Sequence, residues 1–276
     1  MDLENVLTLI QKELRDAFRN RWFLLYAVAF AGLSLALAWF SVSGAGSFGV
    51  AGFGRTTAGL INLILLIVPL MGLTLGAMSL AGEREKGTLV YLLAQPISGA
   101  ELILGKFVGL ALALTAALVI GFGLTGILIV FIGGGGDFRI YLTLLVLSVM
   151  LAIATLSLGF LISAAVKKAA TAVGLALFLW LILVYFGDLG LMGTAVVMQM
   201  DVEQLLALAL INPLQVFKIA AVLDLRDNLE VLGPAGIFAY RTYGGALWPL
   251  LVGLLFVWVV APFLLATQVF KKRGVI

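Results

Sequence analysis

The chain has 276 residues, of which 63% are hydrophobic and only 11% are charged, and its formal net charge is +3. Soluble domains are about 45–50% apolar and about 25% charged, so a water-soluble fold of this composition could not cover its surface with polar groups. The sequence contains neither Cys nor His, which excludes disulfides, Cys nucleophiles, His acid–base chemistry and zinc sites built on these residues. We therefore expect an integral membrane protein that is not an enzyme by itself.

The first segment, residues 1–21, has the pattern of an amphipathic helix. Large apolar side chains recur at helical spacing, and charged side chains occupy most positions between them. The apolar positions are Leu3, Leu7, Ile10, Leu14 and Phe18. Such a helix is expected to lie in the membrane interface. The periodicity disfavours the alternative, a flexible charged tail.

Six apolar runs follow within residues 22–276, each close to the length of about 20 residues that a spanning helix needs. They cover residues 22–42, 57–81, 106–132, 140–165, 170–191 and 246–270. The first run is longer than the apolar region of a signal peptide, which has about 7–15 residues, so we expect it to be retained. Central charges are almost absent from all six. The predicted fold class is all-α, a polytopic bundle of six transmembrane helices.

The Lys and Arg residues predict the orientation of this bundle. If the six runs alternate across the membrane, twelve of the 17 Lys and Arg residues lie on the side of the two termini, and five lie on the other side. The five are Arg55, Arg139, Lys218, Arg226 and Arg241. Because cytoplasmic loops carry the excess of basic residues, both termini are expected in the cytoplasm.

The polar stretch between the second and third runs, residues 82–98, is named here the coupling segment. It has the pattern of a short charged helix that stops at Pro96. Ser98 and Glu101 then form a capping-box pattern that begins the next helix. An ordered charged helix between two spans indicates a docking surface, and the residues alone leave a solvated charged loop equally open.

The fifth connection, residues 192–245, is long and is expected to face outward. Asp201 to Ile211 is apolar enough to lie against the membrane. Asn212 followed by Pro213 is the pattern of an N-cap with proline at the first helical position. These helices are expected to cover the outer mouth of the bundle or lie in the interface, without spanning.

Small residues and one loop-like motif also bear on packing and chemistry. Gly72 and Gly76, and likewise Gly105 and Gly109, have the small-xxx-small spacing that allows close helix packing. Residues 99–107 superficially resemble a phosphate-binding P-loop, but five residues separate the two glycines and Phe107 stands where a hydroxyl is required. We conclude that nucleotide is not bound by this route.

Two other transport chemistries receive little support from the residues. Ionisable side chains inside the runs are nearly absent, which disfavours a proton relay. Met192, Met198 and Met200 are the candidate thioether ligands for copper(I) at the outer end of the fifth run. Filling of gaps between apolar helices is the favoured interpretation of these methionines, so no metal site is predicted.

Taken together, the motifs and spans resemble those of ABC-2-type permeases over the whole chain. The coupling segment is similar to the conserved cytoplasmic stretch of that family, and the pattern before the first span resembles its N-terminal elbow helix. The positions that carry the resemblance are Glu83-Arg84-Glu85-Lys86-Gly87-Thr88-Leu89, Leu92-Leu93, Pro96-Ile97, Gly105-Lys106, Lys12-Glu13-Leu14 and Arg19-Asn20-Arg21. Within the family, the chain most resembles permeases of transporters that serve maturation of nitrous oxide reductase.

The resemblance implies a homodimer in a bacterial inner membrane that binds two copies of a cytoplasmic ATPase, which would bind ATP and magnesium. It also implies a periplasmic β-helical partner and a role in assembling the copper sites of nitrous oxide reductase. The expected ATPase contacts are Glu83, Arg84, Glu85, Gly87, Thr88 and Leu92. The expected external contacts are Val202, Leu206, Asn212, Pro213 and Phe217.

Two other functions remain open from the sequence. One is an ABC-2 exporter of another cargo, such as a lipid, a drug or a polysaccharide. The other is a membrane scaffold that transports nothing. Charge reversal at Glu83 and Glu85 is expected to separate ATP hydrolysis from the permease without unfolding the bundle.

Overall fold

The computed structural model describes residues 2–43, 49–133, 138–190, 201–224 and 233–273, and all regular structure in these ranges is helical. The predicted all-α fold is therefore confirmed. The helices are α1 (Leu3–Arg19), α2 (Arg21–Ser43), α3 (Gly49–Glu85), α4 (Thr88–Leu93), α5 (Gly99–Gly133), α6 (Phe138–Ala165), α7 (Ala169–Leu181), α8 (Val202–Leu210), α9 (Pro213–Asp224), α10 (Gly233–Tyr243) and α11 (Leu247–Arg273). A π-helical segment, Ile182–Gly190, continues α7, and a 3-10 turn, Gly244–Ala246, joins α10 to α11.

Six stretches of the described residues are long and apolar enough to cross a membrane, as predicted. They are Arg21–Phe40, Thr57–Glu85, Gly99–Leu128, Phe138–Ala165, Ala169–Gly187 and Phe238–Lys272. The second stretch continues into the coupling segment as far as Glu85, and the third begins at Gly99, directly after that segment and ahead of the predicted start at residue 106. As a result α3, the short α4 and α5 meet at one end of the bundle, named here the α4 end.

The centre of the bundle is the contact between α3 and α6, where glycine removes the side chain that would separate the two backbones. A Cβ atom on Gly76 would lie 2.8 Å from the backbone nitrogen of Phe160, and one on Gly72 would lie 2.7 Å from the carbonyl oxygen of Ala152. Neither distance admits a methyl group. The small-xxx-small spacing of this pair is therefore used for close helix packing, as predicted.

A proline inside α3 is accommodated by a donor from the neighbouring helix. Pro69 has no amide hydrogen and disturbs the preceding turn, which frees carbonyl groups there. The indole Nε1 of Trp180 on α7 donates to the carbonyl oxygen of Leu66 at 3.1 Å. The carbonyl group that loses its amide partner is that of Leu65, one residue earlier, so the indole adds a donor to the turn that the proline disturbs.

The proline inside α11 is accommodated in the same way. Pro262 follows the carbonyl group of Val259 by three residues. The hydroxyl of Ser157 on α6 donates to the Val259 oxygen at 2.8 Å. Each proline-containing span is thus tied to its neighbour by one side-chain donor.

At the opposite end of the bundle, α8 and α9 form a sharply bent pair. The two helices meet at 110°, the geometry of a broken span or a re-entrant loop. Asn212 caps α9 as predicted, because its Oδ1 accepts from the backbone nitrogen of Leu214 at 3.0 Å. Its Nδ2 donates at 2.7 Å to the carbonyl oxygen of Leu183 in the π-helical segment. The bend is therefore fastened to the end of the fifth span.

Candidate functional site

The coupling segment folds as a helix, a tight turn and a second helix. After α3 ends at Glu85, Gly87 takes a left-handed conformation with φ 72°, and its amide donates to the carbonyl oxygen of Arg84 at 3.1 Å. Glycine is the residue that adopts this conformation without strain at a helix end. α4 begins at Thr88, whose hydroxyl donates to the carbonyl oxygen of Glu83 at 3.2 Å. The turn therefore sets α4 in a fixed position against α3.

Just before this turn, an ionic cluster joins three helices. It consists of Lys12 and Glu13 from α1, Glu83 from α3 and Lys106 from α5. The Oε1 atom of Glu83 lies 2.9 Å from the Nζ of Lys106 and 3.0 Å from that of Lys12. The Oε1 atom of Glu13 lies 2.6 Å from Lys106 Nζ and 3.0 Å from Lys12 Nζ. Each carboxylate thus bridges both ammonium groups.

The ionic cluster is largely removed from solvent. The side chain of Lys106 is 1% exposed and that of Glu13 is 7% exposed, whereas Lys12 is 39% exposed at the rim. Burial by itself lowers the pKa of Lys12, but the carboxylates of Glu13 and Glu83 outweigh it and raise that pKa above its usual value. Lys12 therefore stays charged at physiological pH. Removal of one partner would leave a buried charge uncompensated.

The next two residues of the coupling segment bind the connection between α6 and α7. Nη1 of Arg84 donates to the carbonyl oxygen of Val166 at 2.6 Å, just beyond the end of α6. Oε2 of Glu85 accepts from the backbone nitrogen of Ala169 at 2.8 Å, at the start of α7. A cation at a helix C-terminus and an anion at an N-terminus both suit the helix dipole. Three consecutive residues thus hold four neighbouring helices.

The predicted capping box is present at the start of α5. The backbone nitrogen of Ser98 donates to Oε2 of Glu101 at 2.9 Å, and that of Glu101 donates to the Ser98 hydroxyl at 3.2 Å. The other carboxylate oxygen of Glu101 accepts from the backbone nitrogen of Asp2 at 2.7 Å. The same residue that begins α5 therefore also holds the beginning of α1.

Close approach of α1 to α5 depends on the second glycine pair. A Cβ atom on Gly105 would lie 2.6 Å from the Cβ of Leu9, and one on Gly109 would lie 2.9 Å from the carbonyl oxygen of Ile10. These two glycines allow α1 to lie directly on α5. The predicted close packing is confirmed, and its partner is the amphipathic helix.

The face of α1 that packs on the bundle is not the apolar stripe that the sequence indicates. The buried positions are Val6, Leu9, Glu13 and Ala17. On the stripe, Leu3 remains 72% exposed and Leu7 50% exposed. The helix therefore has one face on α5 and an adjacent apolar edge, at Leu3 and Leu7, that is exposed in the described part of the chain, which suits a helix at the membrane interface.

Most of the predicted ATPase contacts are engaged within the chain. The side chains of Glu83, Arg84 and Glu85 make contacts within the chain, as described above, and Leu92 packs partly against the core. The exposed face of α4 instead carries Val90, which is 58% exposed, and Tyr91, which is 77% exposed. Sequence reasoning missed this pair. The available signal was helical spacing, because Leu89 is fully buried on the opposite face.

The predicted external contacts also divide by burial. Leu206, Pro213 and Phe217 are buried in the chain, and Val202 and Asn212 are partly buried. These residues hold the bend between α8 and α9 because their side chains fill its inner face. The exposed positions at the start of α8, along it and at the bend are Asp201, Glu203, Gln204, Ala207 and Ile211.

The P-loop-like motif is part of the packed bundle. The ring of Phe107 lies 4.3 Å from that of Phe263 and 5.5 Å from that of Phe160, measured between centroids. Within the described ranges no group of three or more Cys, His, Asp or Glu side chains could hold a metal ion. The candidate thioether ligands Met192, Met198 and Met200 lie outside the described residues.

Comparison with known proteins extends over nearly the whole chain. The family described as ABC-2 family transporter protein matches residues 7–275. Two relatives are each named as a probable ABC transporter permease protein NosY. The one from Stutzerimonas stutzeri is 30% identical over 98% of this chain and 99% of its own length. The one from Pseudomonas aeruginosa is 32% identical over 90% of this chain and 97% of its own length.

Proposed function

The chain belongs to the ABC-2 family of membrane transporter permeases, and from this membership we propose that it couples ATP hydrolysis in a partner ATPase to movement of its own spans. The chain would act as a homodimer in the inner membrane with both termini in the cytoplasm. Two copies of the ATPase would bind ATP and magnesium, and this chain would bind neither. The residues that would receive the ATPase are those of the coupling segment, 82–98.

One observation carries this proposal: the coupling segment is attached to almost every helix around it. Glu83 ties it to α1 and α5, Arg84 to α6, and Glu85 to α7. Leu89, on the inner face of α4, is fully buried. A displacement of α4 would therefore move these helices together, which is what a lever between an ATPase and a membrane bundle requires.

The docking face we propose is the exposed side of α4, centred on Val90 and Tyr91. An exposed tyrosine is one of the side chains that protein interfaces favour, and Val90 adds apolar surface beside it. Thr88 and Gly87 border this face, whereas Glu83, Arg84 and Glu85 hold it in position from behind. Charge reversal at Glu83 would place a third cation beside Lys12 and Lys106. Such a change would disturb the fold together with any docking.

We further propose that the transporter serves assembly of the copper sites of nitrous oxide reductase, supported by the name that both relatives carry. A periplasmic β-helical protein is the expected external partner. It would bind the exposed positions Asp201, Glu203, Gln204 and Ile211 on the bent pair. Without Cys or His in the chain, a sulfur-containing cargo or a mechanical stroke passed to that partner fits better than direct copper transport.

Affinity purification of the chain from its native membranes in a mild detergent tests this function, with the bound proteins identified by mass spectrometry. An ATPase together with a secreted β-helical protein is the expected result. An ATPase alone would indicate an ABC-2 exporter of another cargo, such as a lipid, drug or polysaccharide. Absence of any ATPase would favour the scaffold and contradict the proposal.

A further inference from the structure

The corner between α1 and α2 presents a cationic surface next to an exposed apolar one. Asn20 shapes the corner, since its backbone nitrogen donates to the carbonyl oxygen of Ala17 at 3.0 Å and its Oδ1 accepts from the backbone nitrogen of Trp22 at 3.0 Å. Arg19 and Arg21, on either side of this cap, are both exposed. The corner is therefore an ordered structure that holds two guanidinium groups outward.

A third arginine belongs to the same surface. Arg15 precedes Arg19 by four residues, so the two side chains lie on one face of α1, and Arg15 is also exposed. In the part of the chain that the structure describes, none of the three arginines forms an ion pair. The neighbouring Asp16 lies 3.6 Å from Lys12 Nζ and is oriented to the ionic cluster. Three positive charges are therefore left for an external anion.

Exposed apolar and aromatic side chains indicate how deep this surface lies in the membrane. Trp22 is 59% exposed at the start of α2 and lies 6.4 Å from the ring of Tyr26. Leu7 and Phe18 on α1 are also exposed. Trp and Tyr at the end of a spanning helix mark the level of the lipid headgroups. At that level the three arginines would lie beside lipid phosphates.

We propose that Arg15, Arg19 and Arg21 form a binding surface for the headgroups of anionic phospholipids. A guanidinium group binds a phosphate through two parallel hydrogen bonds. A bilayer matches both parts of the surface, since acyl chains cover the apolar stripe and the headgroups meet the arginines. A soluble acidic protein would match only the arginines. The consequence is that α1, and with it the ionic cluster, is held more firmly in an anionic membrane.

Selective quenching of Trp22 fluorescence tests this surface. The full chain is placed in phosphatidylcholine vesicles that contain either brominated phosphatidylglycerol or brominated phosphatidylcholine. Subtraction of the signal of a Trp22→Phe chain isolates the quenching of Trp22. We expect brominated phosphatidylglycerol to associate about fivefold more strongly, the factor that one well-placed arginine supplies at a membrane surface. The preference should fall in about 1 M salt, where charges are screened within about 3 Å.

The variant Arg15→Gln/Arg19→Gln/Arg21→Gln should reduce the preference to less than twofold. The matched control is Lys167→Gln/Lys271→Gln/Lys272→Gln, which removes three exposed charges from the same end of the bundle and should retain it. Equal loss in both variants, or no loss in the first, would overturn the proposal. Loss of ATPase binding with an unchanged lipid preference would instead assign the arginines to a protein contact. If the triple variant does not fold, the lipid preference of Arg21→Gln alone and the salt dependence of the preference of the unchanged chain test the proposal.

Discussion

The amino group of Lys106 is almost completely buried from solvent. Two carboxylates replace its hydration, and both of them also contact Lys12, so the charges in the ionic cluster balance in pairs. A buried ion pair is weak evidence for net stability, because desolvation offsets much of the attraction. Its contribution is geometric, since the four contacts tie α1, α3 and α5 to one another.

Replacement of Lys106 by Met should destabilise the bundle by about 3–5 kcal/mol, because Glu13 and Glu83 would then share the single cation Lys12. The measurement is unfolding of the purified chain in detergent, followed by heat or denaturant. Lys86→Met, at an exposed position of the coupling segment, is the control and should change stability by less than about 0.5 kcal/mol. Equal effects of the two changes would show that the ionic cluster does not hold the helices.

Replacement of Gly105 by Ala should displace α1 from α5. The added methyl group would lie 2.6 Å from the Cβ of Leu9, and such overpacking costs about 1–3 kcal/mol. The measurement is the rate of trypsin cleavage within α1, which should rise. Gly123→Ala in the same helix, where no atom lies within 4 Å of the added Cβ, should leave that rate unchanged. A trypsin cleavage rate equal to that of the unchanged chain in both variants would refute the close contact between α1 and α5.

The sequence predicts the residues of this site far better than it predicts their partners. Ser98 and Glu101 are three positions apart, so their mutual capping is a local rule that a pattern can reveal. Lys106 and Glu13 are 93 positions apart, and no local rule connects them. Glu83 therefore looked like an exposed contact for another protein, although its side chain lies within the bundle.

At the scale of single helices, α1 shows that apolar periodicity predicts the helix but does not identify the face that packs on the protein. A 3.6-residue period locates an apolar stripe, and in water that stripe would be the buried face. In a membrane protein the surroundings are also apolar, so the stripe can face lipid while a neighbouring strip with Val6, Leu9 and Ala17 packs on the protein. The helix was predictable from sequence, and the face that contacts α5 was not.

The hydrogen bond between α6 and α11 allows a prediction of how proline in a span changes the stability that a neighbouring donor contributes. Ser157→Ala should cost about 1 kcal/mol, the scale of a side-chain hydrogen bond between membrane helices, because the carbonyl group of Val259 loses its donor. In a Pro262→Ala background the pyrrolidine ring no longer disturbs this turn, so the amide of Phe263 can make the regular helical hydrogen bond to the Val259 carbonyl group and the same change should cost less. A double-mutant cycle on unfolding measures the difference. Equal costs in both backgrounds would show that the proline and the serine act independently.

At the scale of the whole molecule, length and hydropathy alone were enough to predict six spans and their order, since each span must be about 20 apolar residues long. The bent pair of α8 and α9 was predictable only as two short helices. Its 110° angle depends on the contact between Asn212 and Leu183, which the sequence does not reveal. The π-helical end of the fifth span was likewise missed, because its apolar sequence does not distinguish it from an α-helix.

The arrangement of the whole bundle supports the function proposed for the coupling segment. Helices α1, α5, α6 and α7 all meet the last three residues of α3, so the α4 end is a single connected body. The opposite end carries the bent pair and the exposed acidic positions Asp201 and Glu203. A push on α4 would therefore travel along whole spans, a mechanism that needs no ionisable residue inside the membrane.

The measurement that tests this account most directly is site-specific photo-crosslinking in native membranes. A photoreactive phenylalanine analogue replaces Tyr91 on the exposed face of α4, and in a second variant it replaces Tyr240, which is 44% exposed towards the other end of the bundle. If α4 receives the ATPase, we expect a covalent adduct with an ATPase from position 91 and none from position 240. An ATPase adduct from position 240 alone, or from neither position, would contradict it.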